Sequence, residues 1–180
     1  MAAPPSKKAT KPEADAALQW KSRMQDLYKV LAEVVVDVSS DERFNDAANR
    51  KRIESNAKKL SELAHSINVQ KSADATTHPA QQDPSLRFIS RSFQEEARRA
   101  YSSLRSGNRG YARDILAGIS SYCIACHTRN SSGPSFSQLP LPAAAQKLGP
   151  MDKAKFFAAT RQFDEAFPLF EKVIEDQGLN

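Results

Sequence analysis

The chain has 180 residues, of which 40% are apolar, 26 are Lys or Arg and 21 are Asp or Glu, giving a net charge of +5. That is enough apolar material for one core with something appended, and six glycines against many Ala, Leu, Lys, Arg, Glu and Gln argue for an all-α protein. Glu33 and Asp37 interrupt the longest apolar stretch before it can span a membrane, and basic residues alternate with acidic ones along helical faces instead of forming the stripe a nucleic acid requires.

The N-terminus, Met1-Ala2-Ala3-Pro4-Pro5-Ser6-Lys7-Lys8, has no apolar h-region and is no signal peptide. Residues 1–13 read as a disordered lead rich in Pro, Lys and Ala. From about Ala14 to Ser39, Trp20, Met24, Leu27, Leu31, Val34 and Val38 recur at alternating steps of four and three, the seam of a bundled helix. Ser39-Ser40-Asp41 breaks it and caps a second helix, whose Ile53, Ala57, Leu60, Ala64 and Ile67 repeat the pattern to about Asn68. A polar connection containing His78 follows. Asp83-Pro84 then opens a third helix with Ile89, Phe93, Ala97, Ala100 and Leu104 inward, ending at Ser106-Gly107. The fourth starts at Asn108 and presents Tyr111, Ile115, Ile119, Tyr122 and Cys126 before Asn130-Ser131-Ser132-Gly133-Pro134 stops it. Residues 14–130 are thus expected to form an up-down-up-down four-helix bundle.

On the last turns of the fourth helix stands Cys123-Ile124-Ala125-Cys126-His127, which holds both cysteines of the chain. Two thiols two residues apart can add across the two vinyl groups of a haem, leaving the adjacent imidazole under the iron as axial ligand. Chance would place this pattern in on the order of one chain in a thousand of this length. A structural zinc would need four ligands, and only His65 and His78 remain as nitrogen donors. A thioredoxin-like redox pair wants a strand-to-helix turn, and a plain pair of structural thiols leaves His127 unexplained. The expected cofactor is therefore one covalently attached haem c. Its attachment takes place outside the bacterial cytoplasm, so the expected location is the periplasm, with an export signal removed ahead of this start.

A four-helix bundle with Cys123 to His127 near the end of helix four resembles the cytochrome c-prime family, the class II c-type cytochromes, over roughly residues 14–130. Members often carry an aromatic and then a basic residue after the His, whereas this chain reads Thr128-Arg129-Asn130. The resemblance implies that both electron carriers and gas binders occur among relatives. The sixth iron ligand decides between them. Helix one runs antiparallel to helix four in such a bundle, and at 1.5 Å per residue Met24 and His127 differ in level by only about 6 Å. Met24 is thus the candidate thioether ligand opposite His127, with core packing as its plain alternative. His65 lies at the same end, one position off the seam. Trp20 or Leu27 would crowd an open iron site, and Arg23 either pairs with a haem propionate or stays solvated.

Residues 131–150 carry Gly133-Pro134, Pro140, Pro142 and Gly149-Pro150, a stiff linker that cannot be one helix. Residues 151–180 then read as a helical hairpin joined around Arg161-Gln162, with Ala154, Phe157, Phe163, Ala166, Phe170 and Val173 spaced as in one tetratricopeptide repeat. Arg161 stands where that repeat usually has glycine, and Pro168 falls inside the second helix. One such hairpin cannot bury its own apolar face. It is expected to dock on a protein partner, on a second copy or on further repeats, or else to complete the bundle. The expected function is electron transfer with a redox partner protein, and the alternative is a haem-based NO or CO binder or sensor. No catalytic Ser/His/Asp set, phosphate loop or paired acid-base carboxylates occur, so no enzymatic activity is expected.

Overall fold

The structure, a computed structural model, describes residues 11–67, 83–129 and 139–178, with side chains from Leu18 onward. Those residues are all-helical and contain no strand. The expected lead up to residue 10, the connection with His78 and the first part of the Pro-rich linker lie outside them.

Helix α1 spans Lys11–Val38, starting just before the residue expected from periodicity because Pro12 is tolerated in a first turn. Its Leu27, Leu31, Val34 and Val38 are buried, while Trp20 and Met24 are half-buried against the same core. The single second helix expected from sequence is divided. A short α2, Asp41–Asn45, is capped by Ser40 accepting from the Arg43 amide. Asp46 then accepts from the Ala48 amide, a local bond that competes with helix continuation. One 3₁₀ turn, Ala47–Asn49, leads into α3, Arg50–Ser66. All five apolar positions expected on this seam, Ile53, Ala57, Leu60, Ala64 and Ile67, are buried.

Helix α4, Pro84–Arg105, is capped by Asp83 accepting from the Ser85 amide. It ends in a Schellman closure: Gly107 sits at φ 84°, its amide bonds the Leu104 carbonyl at 3.1 Å, and the Asn108 amide bonds Ser103 at 2.9 Å. Asn108 then caps α5, Arg109–Gly118. The fourth expected helix is also divided, since α6, Ser120–His127, starts after a break at Ile119. There the Ile119 amide bonds Leu116 and the Tyr122 amide bonds Ile119, both three residues back and both at 3.3 Å, a local 3₁₀ tightening. Of the expected seam Ile119 is buried, Ile115 and Tyr122 are half-buried and Tyr111 is exposed; Ala112 and Leu116 fill the buried face beside Ile119.

Helices α1 and α3, α3 and α4, α4 and α5, and α5 and α1 pack pairwise, and α6 continues along α4. Asp37, 1% exposed, is ion-paired to Arg52 and accepts from Asn56 at 3.1 Å, a polar link between α1 and α3. Arg113 ties α5 to the end of α1 by donating to the Val38 carbonyl at 3.0 Å.

The C-terminal third folds onto this frame. Leu139 and Leu141 pack on the core, and the short α7, Ala143–Gln146, buries Ala144 and Ala145 against α1. Helix α8, Pro150–Ala159, lies against both α1 and α6, and its Phe156 is fully buried beside Tyr28, ring centroids 5.2 Å apart. Helix α9, Phe163–Asp176, returns along α8 and stays helical through Pro168. There the ring removes one amide near the helix start, and burial of Ala166 and Val173 holds the segment in place. One face of the hairpin is thus covered by the rest of the chain. Phe167 and Ile174 remain exposed on α9.

Candidate haem-attachment site

Cys123, Cys126 and His127 all lie in α6. Residues three apart on a helix are neighbours, so the two thiols share a face and His127 follows on the last turn. Both cysteines are half-buried free thiols, and Cys123 packs against the core. Burial, with Cys126 nearby, pushes the Cys123 thiol from its ordinary 9.0 up to about 12. Burial likewise pushes Cys126 up to about 11, against a weaker opposing pull from Arg129.

These values argue against a redox-active pair, which needs thiols made acidic at a helix N-terminus or beside a cation. They argue equally that the folded chain protects both sulfurs. No three His, Cys, Asp or Glu side chains among the described residues are placed to hold a metal ion together.

His127 is held from the C-terminal hairpin. Its Nδ1 lies 2.9 Å from the carbonyl oxygen of Ala159. A carbonyl can only accept, so Nδ1 carries the proton and Nε2 of the neutral ring carries the lone pair. A ligating histidine needs this tautomer when the metal sits at Nε2 and the other nitrogen is anchored to a backbone oxygen. Burial lowers the pKa of His127; the Ala159 carbonyl opposes this and the Arg161 charge adds to it. The ring is therefore biased toward the neutral, coordinating form.

The end of α6 is anchored twice more. The Arg161 guanidinium donates to the His127 carbonyl. Arg129 donates from Nε to Asp83 at 3.0 Å, joining the motif to the start of α4. The Ser85 amide, and then Arg129, hold the Asp83 carboxyl below the usual carboxylate range.

The remaining sequence candidates lie on α1. Trp20 and Met24 are half-buried and Leu27 is buried, and Arg23 donates to the Ser66 carbonyl at 3.0 Å, closing the end of α3. Helix α8 packs on α1 and on α6, while α1 and α6 make at most glancing contact. The structure therefore sets Cys123, Cys126 and His127 on one short helix, α6, and sets Met24, Arg23, Trp20 and Leu27 on α1, whose neighbour toward α6 is α8. His65 is exposed, with Nδ1 2.8 Å from Gln94 Nε2. It belongs to a shallow cleft of ≈ 340 Å³ with Ser61, Glu62 and Arg98. A second cleft of ≈ 300 Å³ lies between Arg43, Arg52 and Lys147. Neither is lined by a residue of α6.

The donor set fits a c-type haem: two thiols on one helical face and an imidazole in the ligating tautomer. Sequence reasoning found the three motif residues and missed Ala159, Arg161, Asp83 and Arg129. Asp83 was legible as a helix cap and Arg161 as an arginine where the repeat pattern expects glycine, but neither spacing revealed a link to the motif. Comparison with protein-family models, with curated proteins and with solved structures finds no match to this chain.

Proposed function

We propose that this chain is a periplasmic c-type cytochrome, a bundle of the cytochrome c-prime kind that carries one covalent haem and transfers electrons to a partner protein. The observation that supports it most is the bond from His127 Nδ1 to Ala159 at 2.9 Å, next to two thiols in attachment spacing. Cys123 and Cys126 would each add S–H across a haem vinyl group, the sulfur bonding one carbon and the hydrogen going to the other. His127 Nε2 would be the axial donor. When bound, the haem supplies a one-electron iron couple.

The residues around the motif have separate tasks in this reading. In it, attachment belongs to the unfolded chain during export, before α8 packs on α6. Trp20, Met24 and Leu27 pack against the core from α1, and the Met24 thioether is the proposed sixth ligand. Arg23, already committed to Ser66, orders the α1–α3 corner. The four-helix up-down arrangement is supported by the closed ring of packed pairs among α1, α3, α4 and α5.

The position of α8 between α1 and α6 favours a second reading, in which Met24 does not reach the iron and the protein binds NO or CO. The test is the visible spectrum of the exported protein, oxidised and reduced, with the reduced scan repeated under CO. Electron transfer predicts a reduced spectrum that ignores CO and a Met-to-iron charge-transfer band lost in Met24→Ala. Ready CO binding by the unaltered protein would select the gas-binding reading.

A further inference from the structure

Resting on the function proposed above, we infer that the turn between α8 and α9, Thr160–Gln162 with the Ala159 carbonyl, is the positioning element of the haem-ligating histidine, and that Arg161 is its key residue. Helix α8 ends in a Schellman closure like that of α4. The Arg161 amide bonds Ala158 at 3.2 Å and the Gln162 amide bonds Phe157 at 2.9 Å. In α4 the left-handed position of this motif is a glycine, Gly107; in α8 it is Arg161, at φ 57°. A side chain there is disfavoured unless it does something the glycine could not.

What it does is visible across the interface. The Arg161 guanidinium donates to the His127 carbonyl, one of the carbonyls α6 leaves unbonded at its C-terminus. In return the His127 ring donates to the Ala159 carbonyl, one of those left over at the end of α8. Each helix end is thus capped by a side chain from the other. The turn itself is held from beneath. Thr160, 2% exposed, donates to the Phe156 carbonyl at 2.9 Å and accepts from Gln162 Nε2 at 2.8 Å. A carbonyl placed this firmly fixes both the tautomer and the plane of the imidazole. The appended hairpin therefore belongs to the haem site.

The test reads the histidine itself. In the full haem-free chain labelled with ¹⁵N-histidine, with signals assigned through His65→Gln and His78→Gln, long-range proton–nitrogen spectra should show His127 as the Nδ1–H tautomer. Arg161→Gly suits the left-handed turn, so the thermal midpoint should stay the same or rise while His127 shifts to a mixture of tautomers. Arg161→Lys should restore the single tautomer. If Arg161→Gly fails to fold, Arg161→Asn, which tolerates the left-handed region but cannot reach His127, replaces it. A wild-type ring that is Nε2–H or averaged overturns the proposal, and so does a tautomer unchanged in Arg161→Gly. Intact mass of the exported protein is read separately. Missing haem with the tautomer as expected defeats the cytochrome reading and leaves the clamp, whereas attached haem with an averaged ring defeats the clamp alone.

Discussion

The chemistry at single residues turns on burial. Cys123 and Cys126 are held as thiols up to about 12 and about 11, so in the haem-free chain iodoacetamide should modify them at least about a hundredfold more slowly at pH 8 than in denaturant. Rates equal in both conditions would contradict their burial. The same shift has a stability consequence. The unfolded thiols ionise near their ordinary 9.0 while the folded ones do not, so the unfolded state loses protons first and stability falls as pH rises from about 9 toward 12. Tyr28 and Tyr122, both raised by burial, act in the same direction. The cysteine share is therefore the part of the alkaline loss that disappears in the Cys123→Ala/Cys126→Ala variant, measured as denaturant midpoint against pH. Asp37 is the other buried ionisable group of note. Removing Arg52 would leave its carboxylate with Asn56 alone, so Arg52→Ala should cost on the order of 2 kcal/mol. A loss under about 0.5 kcal/mol by chemical denaturation would place this pair among surface ion pairs.

At the scale of elements, the buried seams of α1, α3 and α4 were legible because each rests on a continuous helical period. The second and fourth expected helices were misjudged at their breaks. Nothing in the apolar spacing reveals the local bonds of Asp46 or the 3₁₀ step at Ile119, and on α5 the buried face is that of Ala112 and Leu116, one position on from the expected Tyr111 and Ile115. The hairpin was recognised as two helices around Arg161-Gln162. Its resting place stayed open between a partner and the bundle, because Phe156 lies off the repeat pattern and is the residue that enters the core beside Tyr28. Phe156→Ala should accordingly cost about 3–5 kcal/mol, the range for a large aromatic removed from a packed core. A change below about 1 kcal/mol in thermal or chemical unfolding would mean that α8 is an adornment and not part of the core. The bond of His127 to Ala159 was beyond sequence reasoning for a related reason: it joins a side chain to a backbone carbonyl 32 residues away, and backbone acceptors leave no mark in residue identity.

For the whole molecule, the hairpin changes what the Cys123–His127 motif is embedded in. Of the expected alternatives, a hairpin docked on a partner or one completing the bundle, the structure shows C-terminal helices that share the core, cover α1 through α7 and α8, and grip the end of α6. A chain ending at residue 149 should therefore lose cooperative unfolding, seen as a broad, featureless melt by circular dichroism where the full chain gives one sharp transition. A truncated chain with an unchanged sharp transition would restore the picture of an independent bundle. The most direct test of the account remains the covalent link. The protein should be exported with a c-type haem-attachment system, beside a known cytochrome matured in the same cells, and its intact mass and alkaline pyridine spectrum recorded. The account predicts a mass increased by one haem, a c-type spectrum, and loss of both in Cys123→Ala/Cys126→Ala. Haem-free protein from cells that mature the control cytochrome would contradict it.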